Sequence, residues 1–213
     1  MLFSNTFNVE SADKVQLWPN GVIPYVIHQD LWQEEDLILA SMRHIEDQTC
    51  IKFKPRENEK DYIGIIKGSG CYSYVGKLNR GGPQPVSIGE GCEFAGSIIH
   101  ELIHVTGFHH EHSRIDRDKY VKILWNNLSP DTTKQFAKVD PKKYPQFYKF
   151  DYESVMLYGS TAFSKDGRSP TMIPIRGGRK RLQEVYHKKG MSPTDAKRIR
   201  KLYRCNDSYM KKK

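Results

Sequence analysis

The sequence predicts an α+β fold. Alternating, β-branched runs gather in the first ninety residues, and a capped helical pattern closes the chain. Between them a helical stretch carries histidines four residues apart. The 213 residues suffice for one well-filled domain or for two lobes sharing a core.

In chain order, "NGVIPYVIHQD" reads as a short strand, and Pro24 predicts an edge position. "DLWQEEDLILASMRHIEDQTC" reads as an amphipathic helix. Asp30 is its expected cap, and Leu37, Met42 and Ile45 recur near helical spacing. "CIKFKP" and "DYIGIIKG" alternate as strands, and a glycine-rich segment with short β-prone pieces follows. A helix is expected from near Glu93 to Gly107. A last one opens at "SPTDAKRIRKLY", with Ser192 as N-cap, Pro193 at the first helical position and Asp195 three residues after the cap.

Composition narrows the function classes. The mean hydropathy of −0.67 fits a polar surface. There is no apolar run of about 18 residues, so no membrane span is expected. Residues 1–17 lack the basic start and apolar stretch of a signal peptide. The net charge of +9 reads first as a solvated basic surface, and more sharply as a preference for acidic peptides or sulfated matrix. The basic clusters lack interleaved aromatics, which argues against nucleic acid. Cys50, Cys71, Cys92 and Cys205 form no CxxC pair. Their even count suits two disulfides in any of three pairings, and four reduced thiols would read the same.

"SIIHELIHVTGFHHEHSRIDRD" (residues 97–118) holds His100, His104, His109, His110 and His112, five of the chain's eight histidines. On a helix, His100 and His104 leave the same face about 400° apart and can grip one ion. Glu101 can then reach a water at that ion without being a ligand. HExxH alone recurs by chance, and an ordinary helix can carry two such histidines. A catalytic zinc site takes a third protein ligand and keeps one position open. On a continued helix His109, His110 and His112 would fall about 140°, 240° and 80° around from His104, none squarely at the ion. Gly107 can end the helix and turn the chain back. His100, His104, Gly107 and His110 then fit the extended pattern HExxHxxGxxH, with His109 and His112 as flanking non-ligands.

With Phe108, Glu111 and the "SRIDRD" that follows, this stretch resembles the signature of the astacin family of zinc endopeptidases, a branch of the metzincins. The likeness spans nearly the whole chain, through "LWPNGVIPYVI", "TCIKF", "SIGEGC" and "GMSPTDAKRIRKLYRC". "SVMLYG" resembles the family's Met-turn, with Leu157 in place of the usual histidine. The resemblance implies a two-lobed metzincin protease domain. Its N-terminal lobe, residues 9–110, has a twisted mixed sheet and two long helices; the C-terminal lobe, 111–205, is less regular with one long helix. Residues 1–8 are expected to be a propeptide remnant or recombinant residues, with the mature end near Asn8 or Val9, and 206–213 a tail.

The resemblance further implies one zinc per chain on His100, His104 and His110, with Glu101 as general base. Tyr158 would be a resting fifth ligand that swings out to stabilise the oxyanion; taken alone it reads as a core tyrosine. Met156 would floor the site, and Glu111 would anchor the mature N-terminus. Disulfides would join Cys50 to Cys205 and Cys71 to Cys92, implying an extracellular, secreted enzyme. Its expected substrates are proteins or peptides bound in extended form, and the expected state is a monomer. The alternatives are a non-catalytic binding module on the same fold and a zinc hydrolase of non-peptide esters.

Lys188 aligns with a family arginine that faces the residue after the scissile bond, so it is the candidate cation for an acidic preference there. A plain basic solvated loop reads equally well. Asn127-Leu128-Ser129 and Asn206-Asp207-Ser208 fit the glycan acceptor pattern, the first weakened by Pro130.

Overall fold

The β-prone runs of the first ninety residues pair into one sheet. The structure, a computed structural model, describes residues 14–177 and 181–206. The expected propeptide remnant, the mature end near Asn8 or Val9, and the tail beyond Asn206 with its sequon residues Asp207 and Ser208 lie outside the described residues. Strands β1 (Val22–Ile27), β2 (Lys52–Pro55), β3 (Asp61–Ile66), β4 (Cys71–Ser73) and β5 (Gly82–Ile88) take the order β2-β1-β3-β5-β4. All neighbours are parallel except β4, which pairs antiparallel with β5 and forms one edge. Helices α1 (Glu35–Gln48) and α2 (Ala95–Val105) pack on each other and on this sheet. A second, two-stranded sheet joins β6 (Val121–Ile123) to β7 (Met172–Pro174), and α3 (Pro193–Tyr203) closes the chain. The fold is α+β.

Two details depart from the sequence expectation. β1 is interior, not an edge. Tyr25 O accepts from Arg56 N on the β2 side, so by alternation Pro24 faces β3, whose pairing starts one residue later at Tyr25–Ile63. The missing N–H thus falls just before the ladder it would weaken. Asp30 does not cap α1. A single turn at Gln29–Leu31 intervenes, and Glu34 is the N-cap residue, followed by Glu35 and Asp36. Their carboxylates suit the positive end of the helix.

Buried apolar residues form two clusters. The first joins Ile23, Ile63, Ile65, Val86 and Ile88 of the sheet to Ile38 and Ile45 of α1 and to Ile98, Leu102 and Ile103 of α2. Ala196 and Ile199 of α3 return to this cluster from the far end of the chain. The second holds Val121, Phe136, Phe150, Phe163, Met172 and Leu182. The turn at 154–157 passes between them: Val155 and Met156 sit in the first, Leu157 and Tyr158 in the second.

Cys50 is bonded to Cys205 and Cys71 to Cys92. The first bond fastens the segment after α3 to the end of α1, where Arg200 Nη1 also donates to Gln48 O at 2.7 Å. The Asn127 amide, the acceptor atom of the first sequon, donates to Pro170 O at 2.7 Å and is engaged within the fold.

Candidate metal centre

The sequence of α2 is apolar with histidines one turn apart, and packing buries it along most of its length. Gly107 ends it with φ 109°, a conformation that favours glycine. The chain then runs extended, and His110 adopts φ −62° and ψ 144°. This reversal returns His110 to the ring faces of His100 and His104. The three Nε2 atoms form a nearly equilateral triangle with sides of 3.0, 3.1 and 3.2 Å.

The protonation states follow from the other ring nitrogens. His100 Nδ1 lies 2.8 Å from Val155 O, and His104 Nδ1 2.7 Å from Phe108 O. A carbonyl only accepts, so both Nδ1 atoms carry the proton and both Nε2 atoms present lone pairs. Burial drives the His100 pKa down to about 4, against the pull of Val155 O. Burial and the neighbouring histidines hold His104 and His110 well below the usual value. Three neutral imidazoles therefore turn their Nε2 atoms to one point, with the lone pairs of His100 and His104 fixed there, an arrangement that a cation resolves. A triangle of this size leaves a point about 2 Å from all three nitrogens, roughly 1 Å above their plane, which matches zinc–imidazole distances. Within the described residues, this is the one group of three or more His, Cys, Asp or Glu ligand atoms gathered closely enough for an ion.

The other two histidines of this stretch lie beside the group. His112 Nε2 donates to Gln135 O at 3.0 Å, and its ring stacks on His110 at 5.0 Å. His109 Nδ1 accepts from His110 N at 2.8 Å, and its ring meets Tyr144 edge-on. Glu101 is fully buried on the same helix, and its carbonyl accepts from Ser73 Oγ of edge strand β4 at 2.9 Å. The Tyr158 ring lies 4.2 Å from that of His110 and 4.3 Å from that of His112.

The turn at 154–157 serves both histidine-bearing segments. Val155 O receives His100, and Met156 O accepts from Glu111 N at 2.9 Å. Met156 itself is buried in the first core.

Glu111 lies inside the fold. It is buried and takes Arg198 in two 2.8 Å hydrogen bonds, plus Asp151 N at 2.7 Å. Burial pushes its carboxyl pKa up against the pull of Arg198. The chain start that this carboxylate was expected to anchor lies outside the described residues.

Lys188 requires a correction. As a specificity cation it should stand wet and open to a substrate side chain. It is instead buried, and its ammonium donates to Ser154 O at 2.7 Å and Leu157 O at 2.6 Å. Loss of solvent brings its pKa down to about 8.

Sequence reasoning also missed residues that support the site. Asp195 was legible only as a capping residue. It fills that role and also accepts from Ser154 Oγ at 2.6 Å and Val155 N at 2.8 Å. Arg198 and Ser154 carried no signal in the sequence beyond their polarity.

A five-stranded mixed sheet, a helix presenting two histidines, a third beyond a glycine turn and a turn at 154–157 bonded to both segments define a zinc metalloendopeptidase. Comparisons with known proteins agree. The family model for astacin, peptidase family M12A, matches residues 10–204. The chain is 48% identical over 191 residues to Astacin-like metalloprotease toxin 1 of Loxosceles intermedia, covering 89% of this chain and 72% of that protein. It is 53% identical over 151 residues to Astacin-like metalloprotease toxin 5 of Loxosceles gaucho, covering 71% and 81%. Among solved structures it resembles High choriolytic enzyme 1, a hatching enzyme zinc-protease from the medaka Oryzias latipes. The TM-score is 0.79 at 38% identity, over 94% of this chain and 98% of that one. The chain belongs to the astacin family, whose cofactor is zinc.

Proposed function

We propose that His100, His104 and His110 hold the zinc and that Glu101 is the general base of peptide-bond hydrolysis. The observation that carries this reading is the triangle of neutral Nε2 atoms beside a fully buried Glu101. Zinc, when bound, supplies Lewis acidity, polarising a carbonyl and easing the ionisation of water near neutral pH. The Glu101 carboxylate takes the proton from the attacking water and delivers it to the leaving nitrogen. The Tyr158 hydroxyl donates to the oxyanion, and Met156 floors the site. Edge strand β4 offers backbone groups for an extended substrate, and its tie to Glu101 O through Ser73 supports that path. Glu111, fixed by Arg198, anchors the mature N-terminus.

The relatives' toxin and hatching roles, with two disulfides in this chain, support action outside the cell as a secreted enzyme. We further propose one protease domain with lobes meeting at residue 110, acting as a monomer. Its excess of 34 basic over 25 acidic residues supports contact with acidic or sulfated matrix.

The test is Glu101→Gln. Zinc content should stay at one per chain while casein cleavage falls by roughly 10²–10⁴-fold. Cleavage at the wild-type rate would remove Glu101 from the role of base. A wild-type protein that binds zinc and cleaves neither casein nor gelatin would favour a binding module.

A further inference from the structure

The ammonium of Lys188 is buried where a plain lysine is costly, so its placement calls for a cause. Its loop is pinned from behind. Gly96 at the start of α2 has no room for a Cβ, because Val185 O and Lys188 O press against it. Lys188 N donates to Val185 O at 3.0 Å, and Val185 packs on both apolar clusters. From this fixed base the side chain reaches the turn at 154–157. The turn closes on itself through Leu157 N to Ser154 O at 3.1 Å. Lys188 Nζ gathers the two outer carbonyls, Ser154 O and Leu157 O, at 2.7 and 2.6 Å. The two inner carbonyls are left for the metal site: Val155 O for His100 Nδ1 at 2.8 Å and Met156 O for Glu111 N at 2.9 Å. Asp195 holds the same turn through Ser154 Oγ and Val155 N. A buried cation and a buried carboxylate thus grip four residues from two sides.

We propose that Lys188 is a positioning residue for the zinc ligand His100: its ammonium fixes the carbonyls of Ser154 and Leu157 and so holds Val155 O where His100 Nδ1 needs it. The lysine touches neither metal nor substrate and acts through the turn. Removing it leaves two carbonyls without their shared donor and lets Val155 O move, which loosens the orientation of the His100 ring. Partners of metal ligands at this remove change metal affinity by about 10–100-fold. The inference rests on the reading of His100 as a ligand.

The experiment measures zinc dissociation constants by competition with a chromophoric chelator, and visible spectra of the cobalt-substituted protein. Lys188→Met should bind zinc about 10–100-fold more weakly, with a shifted cobalt band. Its kcat on a short peptide should fall while KM stays within about twofold, because the lysine does not meet substrate. Val121→Ala, in the other core, supplies a destabilised control whose zinc affinity should match wild type. If Lys188→Met does not fold, Lys188→Gln, whose side chain is one bond shorter and does not span both carbonyls, is measured against the same criteria. Unchanged zinc affinity and cobalt spectrum in the folded variant would overturn the proposal. So would a KM rise confined to peptides with aspartate after the cut, the signature of a specificity cation. His100→Ala separates the two levels. If it binds zinc as tightly as wild type, the ligand reading fails and this inference with it. If it loses zinc while the Lys188 variant does not, the present inference alone fails.

Discussion

Replacing Arg198 by methionine removes one half of a buried ion pair and leaves the other half in place. Arg198 and Glu111 are 5% and 4% exposed, so solvent cannot take over either role. The guanidinium makes two 2.8 Å bonds to the carboxylate and also donates to Phe147 O at 3.0 Å and Lys149 O at 2.9 Å. In the variant, Asp151 N is the remaining donor described for Glu111. Breaking a buried pair from one side costs about 3–5 kcal/mol. Two charge-assisted bonds at about 1.5–3 kcal/mol each give about 3–6 kcal/mol, which overlaps that range. For a domain of this size, that lowers Tm by roughly 6–20 °C. Urea unfolding of the zinc-loaded protein, followed by circular dichroism, measures the loss. Glu111→Gln with Arg198→Met should recover part of it, because the stranded charge is gone. A loss below about 1 kcal/mol for Arg198→Met, or strictly additive single and double variants, would refute the reasoning.

Two further outcomes follow from the same structure. Burial brings the His112 pKa down to about 3 from 6.5. The unfolded chain therefore binds the extra proton first as pH falls below 6.5, and stability drops there. At pH 5 this one residue accounts for about 2 kcal/mol, and His112→Phe should flatten the acid limb of the stability curve by that amount; equal limbs would count against its burial as a neutral ring. Cys50–Cys205 closes a span of 155 residues and Cys71–Cys92 one of 21. By chain entropy, serine replacement of the first pair costs about 5 kcal/mol and of the second about 3 kcal/mol, so denaturant midpoints in the reverse order would contradict that account.

What the sequence disclosed was local. His100 and His104 share a helix face by spacing alone, Gly107 marks the break, and Ser192 with Asp195 spells a capping box that the structure contains. Elements whose state depends on distant packing were not legible. Pro24 looked like an edge residue because strand order is a property of the whole sheet. Lys188 sits in a basic run, "RKRLQEVYHKK", that reads as solvated. Its burial is set by Gly96 on one side and by a turn more than thirty residues away on the other. The ion pair of Glu111 was not legible because its partner, Arg198, lies 87 positions along the chain. The disulfide pairing was equally non-local, and only the family resemblance suggested it.

The bond between Cys50 and Cys205 makes most of this enzyme a covalent ring. Every residue argued to act in catalysis, from His100 to Tyr158, and the positioning Lys188 lie on that ring. Peptide-bond hydrolysis is the enzyme's own reaction, and its copies are substrates within reach. One cut anywhere between the two cysteines opens the ring but separates nothing, and the halves stay tethered through sulfur. A second cut is needed before any part of the site can diffuse away. Damage by neighbours is thereby counted in pairs of events, and a once-nicked molecule migrates as intact protein until its disulfides are reduced.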